Sequence, residues 1–413
     1  MNRVAVTGLS ALCGLGHGLE EIWKNALAAK SGISKLDPLF AKEMPVKVAG
    51  QVLDFKICPS LLSPREAPRY DRFLHLGLAA GVEAYRDAGI EAQDYDPSRM
   101  GAIVGVGMGG FKTIEDNYEI FKQKGGRRVS PFLIPAMVPN MASGLLSIKL
   151  GLRGVNYGVS SACASSNHAL VQAFLEIRHG HHDVVISGGV ESTFSHLPFF
   201  GFSNMKALSL RPAEEAEKAS RPFDRDRDGF VIGEGAGILV LENAEKAKAR
   251  GANIYAELVS YGTSSDAYHI TSPHPEGKGA VECMNKALSW GNIPLEEVDY
   301  INAHGTSTPV GDRVETKALR EVFGKTADRL AVSSTKSMTG HLLGAAGGLE
   351  SIFCIKAIET GSIPPTINLD NPDPECDLFY VPNKSIQKEV RYALNNSFGF
   401  GGTNASVVFK RPS

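Results

Sequence analysis

Residues 159 to 170, VSSACASSNHAL, can be laid without a gap over residues 332 to 343, VSSTKSMTGHLL. Val159, Ser160, Ser161, His168 and Leu170 meet identical residues, and Cys163 meets Lys336. GAIVGVGMGG near 101 and YINAHGTSTP near 300 also read as strand ends in equivalent places. The interval far exceeds the roughly 20–50 residues of solenoid repeats. A duplicated half fits better, with 1–252 as the N-terminal half carrying the cysteine and 253–413 as the C-terminal half. Strands alternate with helices throughout, which predicts an α/β fold. No Pro/Ser linker, low-complexity tract or charge block separates the halves, so they pack as one unit. At 413 residues and 43% hydrophobic composition, the chain can bury a large core. Two halves facing each other bring their strand-to-helix corners, and with them Cys163, Lys336 and His341, towards one centre.

Cys163 itself stands where NYGVSSA, a short strand running into small residues, gives way to apolar side chains at helical spacing from Ala169 to Ile177. A helix N-terminus gathers free N–H groups and the positive end of the dipole. The position therefore favours a thiolate and offers a backbone N–H to a developing oxyanion. A lone cysteine is more often buried and inert, but two histidines shift the balance. His304 ends an apolar strand in DYINAHGTSTPVGD, and His341 lies in a strand, polar turn and helix, SSTKSMTGHLLGAAGGLESI. Catalytic groups commonly emerge at such strand ends. A cysteine with two histidines suggests acyl transfer, although either histidine alone is more often structural.

Three patterns point elsewhere and are weak. Gly105, Gly107 and Gly110 form GxGxxG after an apolar strand, yet no strand ending in an acidic residue clearly follows about twenty residues on. DRDRDG at 224–229 resembles the start of a calcium loop, but position twelve is Gly235 where a glutamate is needed, so it reads as a polar turn. His179, His181 and His182 surround Gly180 at a helix end and read as a solvated C-terminal turn. No metal ligand set is expected.

The formal net charge of -2 argues against non-specific nucleic-acid binding. Six scattered cysteines lack zinc or thioredoxin spacing, and a reactive thiol favours a reducing compartment. Thr7, Gly8 and Ser10 interrupt the apolar N-terminus, which reads as a first strand rather than a signal peptide. No stretch suits a membrane span, so a cytoplasmic location is expected. The 44 glycines cluster at strand ends and in GAAGG, as close backbone approach requires.

SSACASS, NAHGTSTPVGD, SSTKSMTGHLLGAAGGLES and SFGFGGTN stand in the order and spacing of the beta-ketoacyl-acyl carrier protein synthases of the thiolase-like superfamily. The chain resembles the elongating type of that family over nearly all its length, from VAVTGLSALCGLG to NSFGFGGTNASVVF. The resemblance implies a five-layered αβαβα fold of two similar halves, a homodimer, and acyl carrier protein as partner. It implies decarboxylative condensation of malonyl-carrier with an acyl group on Cys163, without a cofactor. A structural monovalent cation near Asn302, Glu350 and Asn396 is possible in similar synthases. The Cys-His-His set argues against the initiating type, which uses Cys-His-Asn. The alternatives are a ketosynthase of a polyketide or other specialised pathway, a non-catalytic partner subunit that sets chain length, and a Cys-His thioester hydrolase.

The same resemblance assigns roles. Cys163 is the nucleophile, His304 and His341 donate to the enolate, and Lys336 with Glu350 forms a polar network behind them. An ordinary surface pair is the other reading of Lys336 and Glu350; an unpaired carboxylate in a small, apolar helix would be costly. Backbone N–H groups of Cys163 and Phe400 make the oxyanion hole. Thr306 and Thr308 bind the phosphopantetheine arm. Phe400 is a gate swung on Gly399, Gly401 and Gly402, while Met108 and Phe202 line the acyl channel. Local basic groups stand at Arg65, Arg69 and Arg72, in KQKGGRR from 122 to 128 and at Lys206; of these Arg65, Arg69, Arg127, Arg128 and Lys206 match positions that dock the acidic carrier, although Pro68 stands where the family often has a basic residue.

Overall fold

The protein, described as a computed structural model over residues 1–412, is built around one long sheet. Its ten principal strands are β1 (Val4–Cys13), β2 (Met100–Gly105), β3 (Asn156–Val159), β4 (Val184–Glu191), β5 (Gly235–Asn243), β6 (Ala256–Ser265), β7 (Val298–Asn302), β8 (Ala331–Ser333), β9 (Tyr392–Gly399) and β10 (Thr403–Lys410). They lie in the order β8-β7-β9-β10-β6-β1-β5-β4-β2-β3. That order is a palindrome. From either end, two parallel pairings are followed by two antiparallel ones, and β1 meets β6 antiparallel through Val4–Val6 at the centre. The halves are thus two copies of one five-strand unit, with β2 equivalent to β7 and β3 to β8.

The helices used below are α1 (Arg72–Asp87), α2 (Phe111–Lys124), α3 (Met141–Leu150), α4 (Ser165–Arg178), α5 (Lys278–Trp290), α6 (Gly311–Phe323) and α7 (Ala346–Thr360). α1 and α3 cover the outer face of the first strand set, and α5 with α6 covers that of the second. α4 and α7 touch strands of both sets and each other, forming the middle layer. These layers are the expected αβαβα arrangement. Burial on both faces explains why β1, β4 and β5 are buried at every residue. α7 is buried from Ala346 to Ile358. Glycine is required in GAAGG because a Cβ on Gly348 would stand 2.3 Å from the Gly237 carbonyl oxygen.

The gapless repeat corrects itself in the fold. Ala162 and Leu343 are the residues that turn left-handed, at φ 49° and 48°, and a long helix begins three residues after each. The backbone equivalent of Cys163 is therefore Gly344, not Lys336. The second copy carries extra residues between strand and helix, folded as the short helix Lys336–Thr339 and ended by Gly340 at φ 69°. Those residues bring Lys336 and His341 to the centre.

The weak patterns are absorbed by packing. A Cβ on Gly105 would lie 2.5 Å from backbone atoms of Ser165 and Ser166, where α4 crosses β2. The His182 ring bridges the Glu176 carboxylate, 2.8 Å from Nδ1, and the Val155 N–H, 2.9 Å from Nε2.

Candidate active site

Cys163 sits on a corner between β3 and α4 that turns through a left-handed residue. Ala162 occupies the left-handed region, rare for a residue with a Cβ. Ser165 Oγ closes the corner, accepting from the Ser161 N–H at 2.9 Å and donating to the Ala162 carbonyl at 2.7 Å. Backbone N–H groups of Phe400 and of Cys163 itself stand close enough to the thiol to favour its anion. Two donors thus converge where an oxyanion on a carbonyl bound to Sγ would form.

The thiol is not the thiolate that its place beside a helix start suggests. Burial pushes it up to about 12, against the pull of the Lys336 charge and the two N–H groups. Desolvation of the anion outweighs the short-range help of the helix end. In the resting protein Cys163 is a neutral thiol.

His304 follows β7, with its N–H and that of Gly305 donating to Glu315 on α6 at 2.8 and 2.7 Å. The His341 N–H donates to the Val231 carbonyl at 2.7 Å. The Leu343 N–H donates to His341 Nδ1 at 3.3 Å. Nδ1 is therefore the acceptor, which assigns the proton to Nε2. That Nε2 is buried without a partner among the described residues. The two imidazoles meet edge to face, centroids 5.5 Å apart. Burial holds both well below the usual histidine range, and the Lys336 charge lowers them further. They are neutral groups able to donate without carrying charge.

Lys336 Nζ is paired with Glu350 Oε1, and both residues are buried. The surface-pair reading fails. Burial raises Glu350 to about 7 against the pull of Lys336. Among the described residues Glu350 Oε2 and Asn302 Oδ1 have no hydrogen-bond partner, whereas Asn396 Oδ1 accepts from Ser406 Oγ at 2.7 Å.

A cavity of about 450 Å³ opens over these groups, with Cys163, His304, His341 and Phe400 in its wall. Thr306 and Thr308 line it with their hydroxyls 3.1 Å apart. Phe202 and Lys206 line it too, and Phe202 packs on Phe400 at 6.3 Å between centroids. Met108 is not on the open cavity. It belongs, with Cys163, Phe202 and Leu343, to an apolar cluster that also takes in Phe199, Phe230 and Ile232. The glycines beside Phe400 are less free than their sequence suggests. A Cβ on Gly402 would meet Asp266 Cβ at 2.8 Å, and one on Gly399 would meet the Ser161 carbonyl oxygen at 3.0 Å. Only Gly401, at φ 85°, has open space around it.

Arg65, Arg69, Arg127 and Arg128 are exposed and lie outside the cavity wall, with Arg69 stacked 4.7 Å over Phe132. Arg72 does not join them. Buried Glu234 holds it at 2.7 and 2.8 Å.

Sequence reasoning missed two buried carboxylates. Glu315, raised to about 7 by burial, carries the backbone of His304 and Gly305. Glu191, likewise raised to about 7, accepts from the N–H groups of Gly107, Met108, Gly109 and Gly344 and so joins the two halves. The available signal was an acidic residue on the buried side of α6 and another ending the apolar run VVISGGVE.

Comparison with known proteins agrees with this geometry. The family pattern described as beta-ketoacyl synthase, N-terminal domain, matches residues 1–247, and its C-terminal counterpart matches residues 255–370. A 3-oxoacyl-[acyl-carrier-protein] synthase 2 of Staphylococcus aureus (strain N315) is 46% identical over 409 residues, 99% of this chain and 98% of that protein. A protein so named from Synechocystis sp. gives the same figures. Among solved structures, a beta-ketoacyl synthase from Burkholderia phymatum superposes with TM-score 0.92 at 32% identity, covering both chains fully. A type II PKS acyl-carrier protein complex with its ketosynthase, bound to the hexaketide, contains a chain that superposes with TM-score 0.91 at 33% identity, again with full coverage.

Proposed function

The chain belongs to the beta-ketoacyl synthase family, and on that premise we propose that it elongates fatty acyl chains by condensing malonyl-carrier with an acyl group held on Cys163. The observation that carries the reading is the convergence of two backbone N–H groups on the thiol beside two neutral histidines. In the first step Cys163 Sγ attacks the carbonyl of an acyl-carrier thioester. The Cys163 and Phe400 N–H groups hold the oxyanion. The carrier sulfur leaves and takes up the proton that Cys163 gives up. Because the resting thiol is protonated, its proton departs only as the new bond forms.

In the second step malonyl-carrier loses carbon dioxide, and the electron pair passes into an enolate. The enolate oxygen accepts hydrogen bonds from His341 Nε2 and from His304. Neutral donors suit this task, since they stabilise charge that appears during reaction. The enolate carbon then attacks the acyl carbonyl, and the cysteine sulfur departs as thiolate and takes up one proton from solvent, since malonyl brings none. The product is a 3-ketoacyl-carrier longer by two carbons.

Thr306 and Thr308 hold the phosphopantetheine arm, and Arg65, Arg69, Arg127, Arg128 and Lys206 steer the acidic carrier. Asn302 Oδ1 and Glu350 Oε2 would hold a monovalent cation, and their having no hydrogen-bond partner among the described residues supports that. No organic cofactor is needed. A homodimer is supported by β3, an edge strand that is not buried, and by the exposed apolar Ile148 on α3, the helix packed against it. Among the described residues no helix is long and apolar enough to cross a membrane, and the reactive thiol favours the cytoplasm.

Identity of 46% to the fatty-acid-type relatives, against 33% to the polyketide-type structure, favours fatty acid synthesis over a specialised pathway. Product analysis tests the reading. Purified protein with an acyl-carrier and malonyl-carrier should release carbon dioxide and form the 3-ketoacyl-carrier, whereas free acid would mark a hydrolase.

A further inference from the structure

The turn that carries Thr306 and Thr308 is held from behind by a buried cation. Arg227, with a side chain 1% exposed, donates from Nε to the Thr308 carbonyl at 3.0 Å and from Nη2 to the Pro309 carbonyl at 2.8 Å. Its Nη1 donates to the Asp224 carbonyl at 2.7 Å and to Asp373 Oδ2 at 2.8 Å. Asp312, also in contact with Arg227, accepts from the Ser307 N–H at 3.1 Å. The Ser307 carbonyl accepts from the Gly229 N–H at 3.1 Å, and its Oγ accepts from the Arg221 N–H at 3.0 Å. Ser307 is held at φ 69°, a conformation its side chain disfavours. The DRDRDG segment thus acts as a clamp on the turn and not merely as a loop before β5.

We infer that Arg227 is a positioning residue for carrier-bound substrates, presenting the Thr306 and Thr308 hydroxyls to the substrate's pantetheine arm through the Thr308 and Pro309 carbonyls. A planar guanidinium carries five N–H donors in a fixed fork, enough to hold two adjacent carbonyls while also reaching Asp224 and Asp373, where a lysine ammonium has three on one atom. The inference rests on the condensing reading above. It separates the residue that orders the turn from the hydroxyls that touch the arm.

The test compares donors that have the arm with one that lacks it, in the full-length protein. Arg227→Lys keeps the charge beside Asp312 and Asp373 but loses one carbonyl contact. It should raise KM for acyl-carrier and malonyl-carrier by about 10-fold, the scale of one charge-assisted hydrogen bond, with kcat changed less than about 2-fold. Acylation of Cys163 by 4-nitrophenyl hexanoate, which offers nothing for the turn to hold, should be unchanged. Equal losses with both donors, or no change with the carrier substrates, would overturn the inference. If the lysine variant does not fold, Asp373→Asn frees one anchor of Arg227 and should show the same split at smaller size. Failure of wild-type protein to acylate from the carrier would instead refute the condensing reading.

Discussion

Lys336 and Glu350 form an ion pair from which water is almost excluded, with side chains 1% and 3% exposed. The Lys336 charge lowers Cys163, His304 and His341 alike, so one buried cation tunes all three reacting groups. Lys336→Met should leave Glu350 uncompensated and cost about 3–5 kcal/mol in urea unfolding. Lys336→Met combined with Glu350→Leu should recover most of that stability. Neither variant should recover condensation, because the field at the thiol and imidazoles is gone. Wild-type condensation in the double variant would contradict an electrostatic role.

The raised thiol at the cavity wall gives a kinetic signature. Alkylation of Cys163 by iodoacetamide should keep accelerating with pH beyond about 9, where ordinary thiols level off, because the reactive species is the thiolate. A plateau below about pH 8 would mean that the helix end and Lys336 outweigh burial.

Glu315 links proton uptake to stability. Its carboxyl is raised from 4.5 to about 7, so the folded protein keeps a proton that the unfolded chain releases in that window. The contribution is fully present below about 4.5 and is lost as pH rises through about 7. Measured by urea unfolding, Glu315→Gln should therefore gain on wild type between about pH 5 and pH 8. A pH-independent difference would mean that Glu315 titrates normally.

Charge reversal of Arg127 and Arg128 to Glu should raise KM for carrier-delivered substrates by roughly 10-fold at low salt, with the gap narrowing as salt rises. Unchanged kinetics would remove both residues from the docking surface.

Much of this arrangement is legible before any coordinates. Runs around Cys163, His304 and His341 stand at strand ends, and internal similarity announces two copies of one unit. The exact equivalence is not legible, because it resides in backbone torsion. Ala162 and Leu343 share a left-handed corner but no side-chain chemistry, while the matching serines pull the alignment onto Lys336. Thiol ionisation is hidden for a related reason. Helix position can be read from periodicity, whereas desolvation depends on what the other half places over Cys163. Glu191 and Glu315 stand in no motif, and their partners are backbone N–H groups that a sequence does not display.

Condensation by this chain requires a covalent acyl group on Cys163 that malonyl-carrier discharges into a longer product. Intact-protein mass spectrometry after incubation with acyl-carrier should show one acyl adduct on wild type and none on Cys163→Ala. Adding malonyl-carrier should remove the adduct and yield a ketoacyl-carrier longer by two carbons. Folded wild-type protein that never acquires the adduct, or that loses it only as free acid, would contradict the account.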